Sequence, residues 1–147
     1  QKYLNISFNI FGIYYNIAKI IITKIVLKNN SKITDINNLK YELKRNGYYW
    51  SDIINKSNSE ENFISVHKIK KGSKAPTHIH ENEEIVYVLN GSIEIEIENN
   101  LLNLKKDQMI SIPPKTEHSL RNENKEIAKI IIYFGTNDPF AKTVYKE

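Results

Sequence analysis

Cysteine is absent from the 147 residues, which excludes disulfides, thiolate nucleophiles, zinc ribbons and iron–sulfur ligation. Arginine is nearly absent: Arg45 and Arg121 are the only two, so the usual donor of bidentate base and phosphate contacts is scarce. The formal charge of +4 is unevenly spread. Residues 1–58 carry nine Lys or Arg against three acids, whereas residues 59–147 carry twelve against fourteen. No basic stripe interleaved with stacking aromatics runs through that second, mildly acidic part, so nucleic acid is not an expected partner. Long apolar runs are missing too. Ile6 to Leu27 is apolar-rich, but Asn9, Asn16, Lys19 and Lys24 interrupt it, short of the roughly 18 uninterrupted residues of a membrane span. Lys28-Asn29-Asn30 stands where a signal peptide would place small residues, so an amphipathic helix or an ill-defined leader is expected, with a cytoplasmic location. The chain opens on Gln1 and its single methionine is Met109, as expected of a fragment or a processed product.

What is present is ordinary globular composition, with 40% hydrophobic and 26% charged residues, enough for one cored domain plus an appendage. Isoleucine, asparagine and lysine are over-used, a coding bias that weakens any inference from Asn or Lys clusters alone. Residues 1–58 are expected to form an N-terminal extension: a leader, then a short helix. Thr34 or Asp35 can cap that helix, Ile36, Leu39 and Leu43 repeat at helical spacing, and Gly47 suits its stop. After residue 58 the period changes. In Ser92 to Glu98, Ile93, Ile95 and Ile97 alternate with Glu94, Glu96 and Glu98, the pattern of a strand with one wet face. Asn90-Gly91 before it and Asn99-Asn100 after it are hairpin-turn pairs. Strands are also expected at Phe63 to Ile69, Glu84 to Leu89, Met109 to Ile112, His118 to Arg121 and Ile127 to Phe134. Residues 59–147 therefore read as an all-β sandwich or barrel.

The four histidines carry the chemistry. His78 and His80 are two apart, so on a strand they share a face about 6.6 Å apart, close enough to converge on one ion. Glu84 lies at an even offset from His80 and can return to the same side. His118 lies 38 residues beyond His80, after Pro113-Pro114, on a later strand. Three imidazoles and a carboxylate suit one divalent transition metal: iron, manganese, nickel, copper or zinc. His67 is outside this pattern and is expected to be an ordinary hydrogen-bonded histidine. Asn122 is expected to tether a turn. Tyr87, Tyr133 and Phe134 could line a pocket, though core packing is their expected role.

These residues resemble the two motifs of the cupin superfamily. Gly72, His78, His80, Glu84 and Gly91 match the first motif at every fixed spacing, and Asp107, Pro113, Lys115, His118 and Asn122 match the spacing of the second. Asp107 and Lys115 stand where the second motif has its two glycines, which puts the loop geometry rather than the ligand set in question. The resemblance covers about residues 60 to 135. It implies a double-stranded β-helix, a small jelly-roll barrel, with the metal in its mouth and His78, His80, Glu84 and His118 as ligands. It also implies a homodimer, in which residues 48–56 could be the strand that crosses to the neighbouring sheet.

Four ligands leave one or two positions open on a five- or six-coordinate ion, and one carboxylate leaves the site at about +1. The expected function is a mononuclear metal enzyme of dioxygenase type, acting on a small anionic or polyhydroxylated molecule. A metal-dependent isomerase or lyase is one alternative, a non-catalytic sugar- or acid-binding module another. No catalytic residue outside the ligand set is identifiable.

Overall fold

The computed structural model describes residues 33–146, which contain eleven strands and no helix. They run β1 Glu42–Arg45, β2 Tyr48–Ile54, β3 Phe63–Ile69, β4 Ser73–Ile79, β5 Glu84–Asn90, β6 Ser92–Ile97, β7 Asn100–Lys105, β8 Met109–Ile112, β9 His118–Asn122, β10 Ala128–Phe134 and β11 Val144–Tyr145. One sheet has six strands in the order β1-β2-β3-β10-β5-β8, and the other has five in the order β11-β4-β9-β6-β7. Every pairing is antiparallel. This is the all-β jelly roll that the cupin resemblance implied.

Alternation builds the core. Ile93 and Ile95 of β6 and Val86 and Val88 of β5 are fully buried between the sheets, as are Ile130 and Phe134 of β10. Each fully buried large aliphatic side chain is worth about 1.5–3 kcal/mol of transfer free energy, so these rows dominate the stability. Strand β10 sits between β3 and β5, with Ile130 opposite both His67 and Val88 and Phe134 opposite both Phe63 and Glu84. It therefore couples the core to the residues that bear functional groups.

The helix expected from Thr34 to Gly47 does not form. Asp35 instead closes a turn, its carboxylate accepting from Asn37 N at 2.9 Å and from Asn38 Nδ2 at 2.7 Å, and Glu42–Arg45 is strand β1 paired with β2. Asp and Asn side chains compete for local backbone groups in this way, which favours turns over helix interiors. Leu43, counted as part of an apolar stripe, is 61% exposed. Gly47 is needed, but for a hairpin: its φ is +69°, and a Cβ there would collide with the Ser73 hydroxyl. Strands β1 and β2 thus place residues 42–54, assigned to the extension, within the sheet, and the compact unit begins at Asp35. Strand β2, expected to cross to a neighbour, lies on β3 of its own chain. The expected leader falls in residues 1–32, outside the described ones.

Asp107 and Lys115, which replace the motif glycines, have φ of +66° and +63°. These are left-handed conformations in which glycine costs little and lysine costs more. The Lys115 turn is tied directly to a histidine of the first motif, because its N–H donates to the His80 carbonyl at 2.8 Å. Lys115→Gly should stabilise the protein by about 0.5–1 kcal/mol, read as a higher urea midpoint at unchanged slope. A lower midpoint would mean that the turn is held by the lysine side chain.

Candidate metal centre

Strand β4 carries His78 to the interior, and His80 follows directly after its end. Pro76 cannot donate to a ladder, and the β4–β9 register shifts between Ala75 and His78, as expected where proline meets a bulge. Beyond that irregularity, His78 pairs with His118 across β4 and β9. Glu84 opens β5 on the opposite sheet, and its side chain closes the group from that side.

One ligand atom from each of His78, His80, Glu84 and His118 lies within 4.8 Å of the others, and all four residues are buried. The His78 ring is 4.6 Å from that of His80 and 4.3 Å from that of His118, centroid to centroid. The outer nitrogens are all engaged. Nδ1–H of His78 donates to the Pro76 carbonyl at 2.6 Å, and that of His118 to the Thr116 carbonyl at 2.9 Å. Nδ1 of His80 is hydrogen-bonded to Thr143 Oγ1 at 2.8 Å. With each Nδ1 engaged outward, Nε2 is the ring nitrogen left for an ion, the arrangement usual for metal-ligating histidines. Glu84 Oε2 is 2.9 Å from Nε2 of His118 and 3.4 Å from Nε2 of His80. The residues present therefore fit one divalent transition metal, and all four predicted site residues converge.

Burial holds the His78 imidazole down at about 4, aided by the like charge of His118. Burial would raise Glu84, but hydrogen bonds from His118 and His80 outweigh it and leave the carboxyl at about 2. For His118, burial pulls down while the Glu84 hydrogen bond and charge pull up, and the net shift is upward.

His67 is elsewhere. Its Nδ1 is 2.9 Å from the Tyr48 hydroxyl and its Nε2 is 2.7 Å from Ser65 Oγ, and burial lowers it to about 3. It is a hydrogen-bonded core histidine, as expected, although it stacks on Trp50 at 5.1 Å beside the centre. Asn122 tethers a turn: Nδ2 donates to the carbonyls of Ile69 and Glu126, and Oδ1 accepts from Asn124 N. Phe134 is core, its ring 4.9 Å from that of His80. The Tyr87 and Tyr133 hydroxyls bond Asp107 and Asn62, away from the centre.

The buried neutral histidines set an acid dependence for the metal-free protein. His67 and His78 have folded values of about 3 and 4 against an ordinary value of 6.5, so the unfolded chain takes up protons first. Their contribution is complete above the ordinary histidine range and is lost as pH falls through it. The raised His118 works the other way. Stability of the metal-free protein by urea unfolding should therefore fall from pH 7 to 4.5, and fall less in His67→Gln. A flat profile would show that neither ring is buried in the neutral form.

A cavity of about 30 Å³ opens onto His78, His80 and Glu84, room for one or two water-sized groups. Arg45, Tyr48, Trp50 and His67 line it from β1, β2 and β3, and Phe140 and Tyr145 from the C-terminal segment. Sequence reasoning missed Arg45, Trp50, Phe140, Thr143 and Tyr145. Only Trp50 carried a signal, as part of an aromatic run. A larger cleft of about 500 Å³, lined by Lys68, Lys129, Asn37 and Asn90 among others, lies on the outer face of the six-stranded sheet and has no metal-binding set. Among the described residues, no helix is long and apolar enough to cross a membrane.

Comparison with known proteins gives a consistent picture. Residues 65–134 match the family model described as the cupin domain. Polyketide synthase CurC of Streptomyces cyaneus is 28% identical over 78 residues, 52% of this chain and 51% of that protein. An uncharacterised protein of Methanocaldococcus jannaschii is 39% identical over 61 residues, 41% of this chain and 49% of that one. The chain thus spans about half the length of these relatives. Among solved structures, polyketide cyclase RemF of Streptomyces resistomycificus superposes with a TM-score of 0.66 at 17% identity, covering 71% of this chain and 79% of that one. KdgF of a Halomonas species gives a TM-score of 0.65 at 17% identity, covering 74% and 97%. At such identity these two establish the shared fold alone. With the motif residues in place and the two-sheet roll around them, residues 65–134 are a cupin domain.

Proposed function

We propose that the protein is a mononuclear metal enzyme in which His78, His80, Glu84 and His118 hold one divalent transition ion that acts on a small anionic molecule. The supporting observation is the convergence of one ligand atom from each of the four residues, with all three Nδ1 atoms anchored outward on Pro76, Thr143 and Thr116. Hydrogen bonding among the four side chains alone would not need three separately anchored rings. When bound, such an ion supplies a Lewis-acid centre with open positions and, if it is iron or copper, a site for dioxygen chemistry.

The chain's own residues have defined parts. The imidazoles and Glu84 fix the ion's position, and Phe134, Phe140 and Ile132 keep the surroundings apolar and exclude water. Glu84 is a weak base while ligated. Beside Arg45, the other groups in the cavity wall that can hold a proton are Tyr145 and the hydrogen-bonded pair Tyr48 and His67. Sparse general acid–base equipment favours oxygen-dependent chemistry over hydrolysis, and with it the dioxygenase reading. A second reading is a cyclisation or isomerisation that uses the ion as a Lewis acid, favoured by the structural likeness to RemF, a polyketide cyclase.

Metal analysis of protein purified without added metal is the first test, with one equivalent expected. Anaerobic loading with Fe(II), followed by oxygen uptake across enolic and catecholic compounds, separates the readings. Uptake supports the dioxygenase. No uptake with any redox metal removes it and leaves the Lewis-acid form.

A further inference from the structure

Of the two arginines, Arg121 is paired with Glu94 at 2.7 Å, whereas Arg45 has no carboxylate within ion-pair distance among the described residues. Arg45 is half-buried at the end of β1. Its guanidinium carbon stands 5.6 Å above the Tyr145 ring, which is itself 5.8 Å from the His78 ring. Arg45 lines the same cavity as His78, His80 and Glu84. The one acid of that cavity, Glu84, is already bonded to His118 and His80. Trp50 lines the cavity too, and its indole N–H is buried with no hydrogen-bond partner among the described residues. A buried N–H without a partner is unfavourable, so a group that accepts from it is favoured.

We propose that Arg45, assisted by the Trp50 N–H, holds the carboxylate of a short 2-oxo or 2-hydroxy acid whose neighbouring oxygen faces His78, His80, Glu84 and His118. The proposal deepens the metal-enzyme reading and rests on it for the second pole. Three features define the ligand. The planar fork of a guanidinium matches a carboxylate, and among the described residues no carboxylate pairs with it. Ala75, Leu120 and Ile132 make the remaining wall apolar, which strengthens such a pair by excluding water. The small cavity limits the part of the ligand that enters to a few heavy atoms.

Calorimetric titration with pyruvate and with its neutral amide tests this, on Co(II)-loaded and metal-free protein, for wild type, Arg45→Gln, Arg45→Lys and Trp50→Phe. Wild type should bind pyruvate at least about tenfold more tightly than the amide, and Arg45→Gln should lose about tenfold or more. Arg45→Lys should recover only part of this, and Trp50→Phe should lose a few-fold. Cobalt stoichiometry and visible spectrum should be the same in all four. Equal pyruvate affinity in wild type and Arg45→Gln overturns the proposal, as does absence of pyruvate binding to cobalt-loaded wild type. If Co(II) itself does not bind, the metal reading fails, and the metal-free titration still decides on Arg45: binding lost in Arg45→Gln supports the carboxylate pole, and equal or absent binding removes it.

Discussion

His118→Ala should cost the protein its metal. On the proposed reading, removing the His118 side chain on β9 leaves His78 and His80 from one segment and Glu84 from the opposite sheet to hold the ion. Outer partners of metal ligands alone are worth about 10–100-fold in affinity, so loss of a ligand should weaken binding by about 100-fold or more. Elemental analysis should fall from one equivalent to a small fraction, and chelator competition should report the affinity. The same change releases Glu84 from its hydrogen bond at 2.9 Å, one of the contacts that keep its carboxyl near 2. A buried carboxylate left with His80 alone takes up a proton more readily, which further disfavours the cation. His67→Gln is the matched control, since His67 is just as buried but bonds Tyr48 and Ser65. It should keep full stoichiometry. Full occupancy in His118→Ala, or equal loss in both variants, would remove His118 from the ligand set. Stabilisation of wild type by added metal, absent in His118→Ala, would give an independent reading by mass action.

The candidate site was legible in the sequence because strand parity and turn chemistry act over a few residues. His78 and His80 share a face by alternation, Glu84 opens the next strand, and the β5–β6 turn at Asn90-Gly91 has Gly91 at φ +72°. Strand β6 was legible for the same reason, with Ile93 and Ile95 buried and Glu94 and Glu96 partly exposed. What escaped is held by partners far away in sequence. Strand β7 shows no alternation, and Leu101 and Leu102 are 52% and 40% exposed; it is a strand because it registers with β6. Strand β11 is two residues long and exists through Ile79 and His78 of β4. The Thr143–His80 bond spans 63 positions, so no local pattern could announce it. The helical spacing of Ile36, Leu39 and Leu43 misled because periodicity says which residues could share a face, not whether a sheet edge nearby offers better pairing. The edge of β2 did.

Phe134→Ala should be the most damaging change to the fold. Its ring is fully buried, 6.3 Å from Phe63 and 5.8 Å from Phe140, on the strand that joins β3 to β5. Truncating a buried phenylalanine costs about 3–5 kcal/mol, part transfer energy and part cavity, against a typical total stability of about 5–15. Urea unfolding should show that loss at unchanged slope, with Phe134→Leu costing about a third as much. The centre should suffer as well. Phe134 is opposite Glu84 in the β10–β5 register and its ring backs His80 at 4.9 Å, so the void opens directly behind two ligands. Metal affinity should therefore fall in Phe134→Ala even where the protein remains folded, and largely recover in Phe134→Leu. A cost below about 1 kcal/mol would mean that the ring is not packed between the sheets. A large cost with unchanged metal affinity would show instead that the Thr143 bond, not the aromatic wall, fixes the His80 ring.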